Sequence, residues 1–79
     1  MGKLLWHGVG REEVEQALKD FEGKVAGAYN KEGERREAWL GASDEGRILF
    51  VVYTHRGERL RPITFRGAND AEKRRYGRG

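Results

Sequence analysis

The stretch Arg47-Ile48-Leu49-Phe50-Val51-Val52-Tyr53-Thr54-His55 decides how this 79-residue chain folds. Its central residues, Ile48 to Tyr53, are all apolar or aromatic and mostly β-branched or aromatic, without a glycine or proline, which is typical of a strand. Because successive side chains of a strand point to opposite faces, both faces of this strand are apolar. We therefore predict that it lies at the centre of a sheet, covered on one face by a helix and on the other by another helix or a partner.

The residues on either side of this strand predict one more strand after it, two before it and a helix at each end. The apolar residues from Val14 to Phe21 repeat with the i, i+3, i+4, i+7 spacing of a helix that buries one stripe. Asn69 and Glu72 have the spacing of a helix cap. The predicted elements span residues 11–22, 24–29, 36–42, 47–55, 59–66 and 70–76. The fold class is therefore α+β, a small four-stranded and mainly antiparallel sheet with an N-terminal and a C-terminal helix, in a single domain over residues 1–79.

The last predicted strand, residues 59–66, carries three arginines and a proline. Pro62 donates no backbone hydrogen bond, so the strand needs an open side there or a bulge. Strict alternation places Arg59 and Arg61 on one face, and the other face then holds Leu60, Thr64 and Arg66. Arg66 would lie among apolar neighbours at the strand end, where a guanidinium needs either an acidic partner or a phosphate.

Charge is distributed unevenly along the chain. Residues 1–55 contain 8 Lys/Arg and 10 Asp/Glu, a net of −2, whereas residues 56–79 contain 8 and 3, a net of +5. A cationic end of this kind indicates a polyanionic partner, either nucleic acid or an acidic protein. The high content of charged residues, 37% of the chain, is typical of thermostable proteins when Asn, Gln, Met and Cys are as rare as they are here.

Several function classes are excluded by residues that the chain lacks. There is no cysteine, and the two histidines, His7 and His55, lie far apart in sequence, so neither a metal ion nor another cofactor is predicted. Gly8-Val9-Gly10 lacks the spacing of a dinucleotide-binding loop, and the only serine, Ser43, lies in a predicted turn. No stretch resembles a signal peptide or a membrane span, so the expected location is the cytoplasm, without a membrane partner.

The remaining candidates for chemistry are arginine, lysine, tyrosine and histidine side chains. They suit binding of a phosphodiester, and they also suit metal-free RNA cleavage, which needs a base at the 2′-hydroxyl, cations on the phosphate and an acid at the leaving oxygen. His55, at a strand end beside Arg56, is the better acid/base candidate of the two histidines. Tyr76, after the basic turn Lys73-Arg74-Arg75, either packs on the sheet or offers its ring to a base.

Several short motifs follow one another in an order that is fairly specific. They are His7-Gly8-Val9, Arg11-Glu12-Glu13, Arg36-Glu37-Ala38-Trp39-Leu40-Gly41, the stretch from Gly46 to Thr54, and an ending made of residues 59–66, Ala68 and residues 72–76. Over about residues 6–76 this pattern resembles the BrnT-type toxins of bacterial toxin–antitoxin pairs. Two features depart from it: only Lys3 to Trp6 precede His7, where the family usually has a further strand and helix, and Pro62 replaces an apolar β-branched residue.

The resemblance implies a RelE-like fold, ribonuclease activity that arrests growth, and neutralisation by a co-expressed antitoxin protein. The residues that match family motifs are His7, Arg36, Tyr53, Arg61, Arg66, Arg75 and Tyr76.

The candidate residues and the family resemblance together predict that the chain is a ribonuclease toxin of a type II toxin–antitoxin system and that it cleaves RNA without a metal ion. The predicted catalytic residues are His55, Arg61, Arg66 and Tyr76, and the predicted RNA-binding residues are Arg36, Arg59, Lys73, Arg74 and Arg75. The alternative is a non-catalytic protein, either a degenerate toxin that still holds an antitoxin or a small module that binds nucleic acid. Self-association of the chain is a third alternative.

Overall fold

A computed structural model of the protein, which describes residues 10–77, contains four strands and two helices. The elements are α1 (Arg11–Leu18), β1 (Lys24–Lys31), β2 (Glu34–Ala42), β3 (Ile48–Arg56), β4 (Arg59–Gly67) and α2 (Asp70–Gly77). The strands form one antiparallel sheet in the order β1-β2-β3-β4. This confirms the predicted α+β fold and is compatible with the RelE-like arrangement that the resemblance implies. Neither helix within residues 10–77 has the length and apolar character that a membrane span requires.

The core lies between α1 and the middle of the sheet. Leu49 and Val51 of β3 are fully buried against Val14 and Ala17 of α1. β3 pairs with β2 on one side and β4 on the other, as its apolar sequence predicted. Residues 49, 51 and 53 therefore define the face of the sheet that α1 covers, and residues 50, 52 and 54 define the opposite face.

The first helix is shorter than its apolar spacing predicted. It ends at Leu18, and the side chain of Asp20 then accepts hydrogen bonds from the backbone N–H groups of Glu22 and Ala42, at 3.0 and 2.8 Å. These bonds tie the turn to the end of β2. The prediction that Phe21 joins the buried stripe is wrong, because the chain has left the helix before this residue, and Phe21 is 88% exposed.

The second helix packs on the face of the sheet opposite α1, where it contacts β2 and β3. Its predicted cap is confirmed: the Asn69 side chain accepts from the Glu72 N–H at 2.8 Å, and the Glu72 carboxylate accepts from the Asn69 N–H at 2.9 Å. The reciprocal pair satisfies two backbone donors at the start of α2. No side chain of α2 is buried, so polar contacts hold this helix on the sheet.

A bulge in β4 changes which of its side chains share a face. Val52 pairs with Thr64 but Tyr53 pairs with Pro62, so Ile63 is an additional residue on β4. Both alternatives stated for Pro62 are present, because β4 is an edge strand and the bulge lies beside Pro62. The bulge also corrects the alternation predicted for this strand, because Thr64 and Arg66 lie on the same face as Arg61, and Leu60 lies on the other face together with Phe65.

Candidate functional site

The sheet face that α1 does not cover, called the open face below, carries a row of polar side chains near the β3–β4 hairpin. Arg36 of β2 pairs with Thr54 of β3, and Thr54 pairs with Arg61 of β4. Directly paired residues of an antiparallel sheet point to the same face with their Cβ atoms about 5 Å apart. These three residues, called the arginine row, place two guanidinium groups on either side of a hydroxyl.

The arginine row lines a cavity of about 240 Å³ together with Glu34, Pro62 and Ile63. Arg36 is fixed there by Glu34, whose carboxylate lies 3.0 Å from its guanidinium, and this hydrogen bond raises the pKa of Arg36. The Thr54 hydroxyl donates to the Arg35 carbonyl at 2.9 Å. Arg61, in contrast, has no hydrogen-bonding or ionic partner among residues 10–77, so its guanidinium is available to an anion.

Arg66 lies on the same face as Arg61 but is engaged by α2. Its two terminal nitrogens each donate to the Glu72 carboxylate at 2.9 Å, and its guanidinium carbon lies 4.3 Å from the centre of the Phe50 ring. The hydrogen bonds to Arg66 lower the pKa of Glu72 and raise that of Arg66. The sequence left two possible partners for the Arg66 guanidinium, an acidic side chain or a phosphate. In the structure Arg66 pairs with an acidic side chain, Glu72.

Tyr76 is held at the far end of the sheet. Its hydroxyl donates to the Asp20 carboxylate, which raises the pKa of Tyr76 to about 12. The same carboxylate accepts from the N–H of Ala42, six residues along β2 from Arg36. At 3.4 Å per residue this separation is about 20 Å. Tyr76 is therefore held by Asp20, in the turn after α1, and is remote from the arginine row.

His55 lies on the α1 face of the sheet, where it pairs with Leu60. Its Nε2 atom is 3.8 Å from Glu37, and its ring meets that of Tyr53 edge-on at 5.9 Å. The Tyr53 hydroxyl donates to the same Glu37 carboxylate at 2.8 Å, and burial together with this hydrogen bond raises the pKa of Tyr53 to about 12. His55 and Arg61 thus point to opposite sides of the sheet.

The predicted catalytic set is therefore dispersed. Arg61 and Arg66 share the open face but belong to rows four residues apart on β3, a distance of about 13 Å. His55 lies on the other face, and Tyr76 lies at the opposite end of β2. Of the predicted RNA-binding residues, Arg36 joins Arg61 in the arginine row, and Arg59 lies next to it in β4.

The cations of α2 form a second basic area on the open-face side. The side chains of Lys73, Arg74 and Arg75 are exposed and have no ionic partner among the described residues. The Arg75 carbonyl accepts from Lys24 Nζ at 3.1 Å, which fastens the end of α2 to β1. His7, which matched a family motif, lies outside the described residues.

Two members of the site, Thr54 and Glu34, were missed at the level of sequence. Thr54 follows the apolar run of β3, so the sequence indicates only that it ends a strand. Glu34 lies in a segment that the sequence predicts to be a turn. Pairing of β2 with β3 places Thr54 beside Arg36, and the extension of β2 back to Glu34 places that carboxylate two residues from Arg36 on the same face. Within residues 10–77, no three His, Asp or Glu side chains are grouped so that they could hold a metal ion.

Comparison with known families adds one match. A family described as "Ribonuclease toxin, BrnT, of type II toxin-antitoxin system" matches residues 2–72 of the chain. The matched range includes the arginine row, Arg66 and Glu72, and it ends within α2. No curated protein matches the chain.

Proposed function

Since this chain belongs to the BrnT family of type II toxin–antitoxin ribonuclease toxins, we propose that it cleaves RNA without a metal ion and that the arginine row holds the scissile phosphate. The observation that carries this proposal is the pairing of Arg36 and Arg61 across Thr54 on the open face. A family of this kind also has an RNA substrate and a protein antitoxin as partner.

Charge supports the phosphate contact. Two guanidinium groups in one row can donate to both non-bridging oxygens of a phosphodiester, and arginine is well suited to such paired hydrogen bonds. Arg61 has no competing partner among residues 10–77, and Arg59 and the cations of α2 extend the positive surface on either side. The proposed path of the RNA backbone therefore runs over the open face, from the hairpin towards α2.

One proton transfer can be assigned to a residue of the same cavity, and the other to water. The 2′-oxygen attacks phosphorus while the Glu34 carboxylate accepts its proton, the bond from phosphorus to the 5′-oxygen breaks, and water protonates the leaving oxygen. The products are a 2′,3′-cyclic phosphate and a 5′-hydroxyl. The arginines stabilise the charge that develops on the phosphate. His55 and Tyr76, predicted for proton transfer, are too remote from this cavity for that role.

The test is cleavage of 5′-labelled RNA by the purified protein in EDTA. We expect fragments that end in a cyclic phosphate, and we expect Arg61→Ala or Arg36→Ala to lower the rate about 100-fold or more. Arg35→Ala is the matched control, because Arg35 neighbours Arg36 but is exposed and lies on the other face of β2. Intact RNA together with normal growth on expression of the protein would refute catalysis. Cleavage that requires added Mg²⁺ would refute metal independence.

The non-catalytic alternative makes a different prediction for the same experiment. The dispersion of the acid/base candidates away from Arg61 favours it. In that case RNA is bound but stays intact, the binding weakens with salt, and Arg61→Ala reduces the salt dependence by about one counterion.

A further inference from the structure

A groove lies on the α1 side of the molecule, between α1 and β4. It encloses about 520 Å³, which is within the range of ligand-binding clefts. Val14 and Leu18 line it from the helix, and Leu60, Pro62 and Phe65 line it from the strand. Leu60 and Phe65 are 41% and 37% exposed, although both belong to the sheet face that otherwise forms the core. The groove, called the hairpin groove below, is thus an apolar cleft that the described residues do not fill.

The border of the hairpin groove is strongly basic. Among residues 10–77, four arginines and one acidic residue, Glu15, line it, and none of the four arginines has a hydrogen-bonding or ionic partner there. They are Arg11, Arg56, Arg59 and Arg61. An apolar floor inside a ring of unpaired guanidinium groups is complementary to a segment that carries both apolar and acidic side chains.

We propose that the hairpin groove is the docking site of the antitoxin and that it takes an acidic, amphipathic helix of that protein. This inference rests on membership of a toxin–antitoxin family, and it deepens the proposed function by naming a site for the partner. Pro62 and the bulge at Ile63 interrupt the regular backbone of β4, which disfavours an added strand along that edge. A helix that places apolar side chains every three or four residues on the floor fits the groove instead.

The composition of the groove favours an acidic peptide over RNA. Among residues 10–77, Phe65 is the only aromatic residue that lines it, whereas single-stranded RNA is usually held by stacking on several aromatic rings. A second copy of this chain is disfavoured because the chain carries a net charge of +3 and would meet a basic rim.

Arg61 links this groove to the proposed catalytic cavity. It lines both the hairpin groove and the cavity of the arginine row, because β4 is the edge strand of the sheet. An acidic side chain that pairs with Arg61 from the groove withdraws its guanidinium from the phosphate. Antitoxin and RNA would then compete through one shared residue while occupying opposite faces of the sheet.

Three apolar residues of β4 provide a matched test. Leu60, Ile63 and Phe65 are 41%, 38% and 37% exposed, but Ile63 lines the catalytic cavity on the open face and not the groove. The probe is the purified cognate antitoxin, and its dissociation constant is measured by calorimetry. We expect Leu60→Ser and Phe65→Ser each to weaken binding about tenfold or more, and Ile63→Ser to change it less than about twofold.

Arg11→Glu provides a variant that does not depend on core packing, since Arg11 is exposed at the start of α1. We expect it to weaken antitoxin binding at low salt and to leave RNA cleavage at the level of the unaltered protein. Circular dichroism confirms that each variant is folded.

The outcomes separate this inference from the proposed function. Antitoxin binding that is unaffected by Leu60→Ser, Phe65→Ser and Arg11→Glu overturns the docking site. Groove variants that weaken RNA binding but not antitoxin binding overturn it in favour of RNA, and variants that abolish self-association overturn it in favour of a second copy. If the unaltered protein does not cleave RNA, the proposed activity fails, while loss of antitoxin binding in the groove variants still supports the docking site.

Discussion

Replacing Glu72 by alanine tests what holds α2 on the sheet. The Glu72 carboxylate accepts two hydrogen bonds from Arg66 and one from the Asn69 N–H, each at 2.9 Å. Glu72→Ala removes all three bonds while leaving the Asn69 side chain as a cap. Because no side chain of α2 is buried, little apolar packing compensates for the loss.

The expected loss follows from the two kinds of contact. The hydrogen bond from the Asn69 N–H to Glu72, one of the two bonds of the capping box, contributes about 1 kcal/mol to the free energy of unfolding. The ion pair is bidentate, but the Arg66 side chain is 48% exposed, so solvent screening limits its contribution to about 1 kcal/mol. We therefore expect Glu72→Ala to lower the free energy of unfolding by about 2 kcal/mol, which corresponds to a fall in Tm of about 8 to 16 °C for a domain of this size.

Urea and thermal denaturation followed by circular dichroism measure the effect. Glu72→Gln keeps an acceptor for the Asn69 N–H and should cost about half as much, and Glu58→Ala, in the β3–β4 turn, is a control without a partner among residues 10–77. A double-mutant cycle of Arg66→Ala and Glu72→Ala should give a coupling of about 1 kcal/mol. A loss below about 0.5 kcal/mol for Glu72→Ala, or a coupling near zero, would show that Arg66 is free to serve another ligand.

Three further predictions concern the core and the ends of the sheet. Gly41→Ala should prevent folding or lower the free energy of unfolding by more than about 2 kcal/mol, since a Cβ would lie 2.6 Å from Trp39 Nε1; Gly27→Ala, which meets nothing within 4 Å, is its control in thermal melts. Leu49→Ala should lower the free energy of unfolding, measured by urea titration, by about 2 to 5 kcal/mol, because Leu49 is fully buried. The raised pKa values of Tyr53 and Tyr76 mean that the folded state retains their protons, so stability is complete below about pH 10 and falls as the pH rises towards 12. Tyrosines of the unfolded chain ionise at about pH 10, so urea midpoints that stay constant between pH 9 and 12 would contradict this.

The sheet was predictable because one pattern dominates it. The uninterrupted apolar run of β3 marks a strand that is buried on both faces, and only an interior strand of a sheet satisfies that requirement. The cap of α2 was predictable for a similar reason, since Asn69 and Glu72 bond to each other's backbone and involve no residue distant in sequence. Such local interactions leave a signature that a single sequence carries.

The end of α1 was less predictable, since the contact that ends it is non-local. Asp20 binds the backbone of Ala42, and this bond competes with continuation of the helix through Phe21. Nothing in the spacing of the apolar residues signals it. The sequence thus predicted the stripe formed by Val14, Ala17 and Leu18 but extended it by one turn.

The bulge at Ile63 determines which surface the basic end of the chain presents. Without it, alternation would place Arg61 and Arg66 on opposite faces of β4, and no single phosphate path could pass both residues. With it, both lie on the open face, and the exposed apolar residues Leu60 and Phe65 share the other face. Pro62 predicted an open side or a bulge. The position of the inserted residue sets the alternation of side chains beyond it, and only pairing with β3 defines that position. The single inserted residue therefore places Arg66 on the same face as the arginine row and Phe65 on the same face as Leu60.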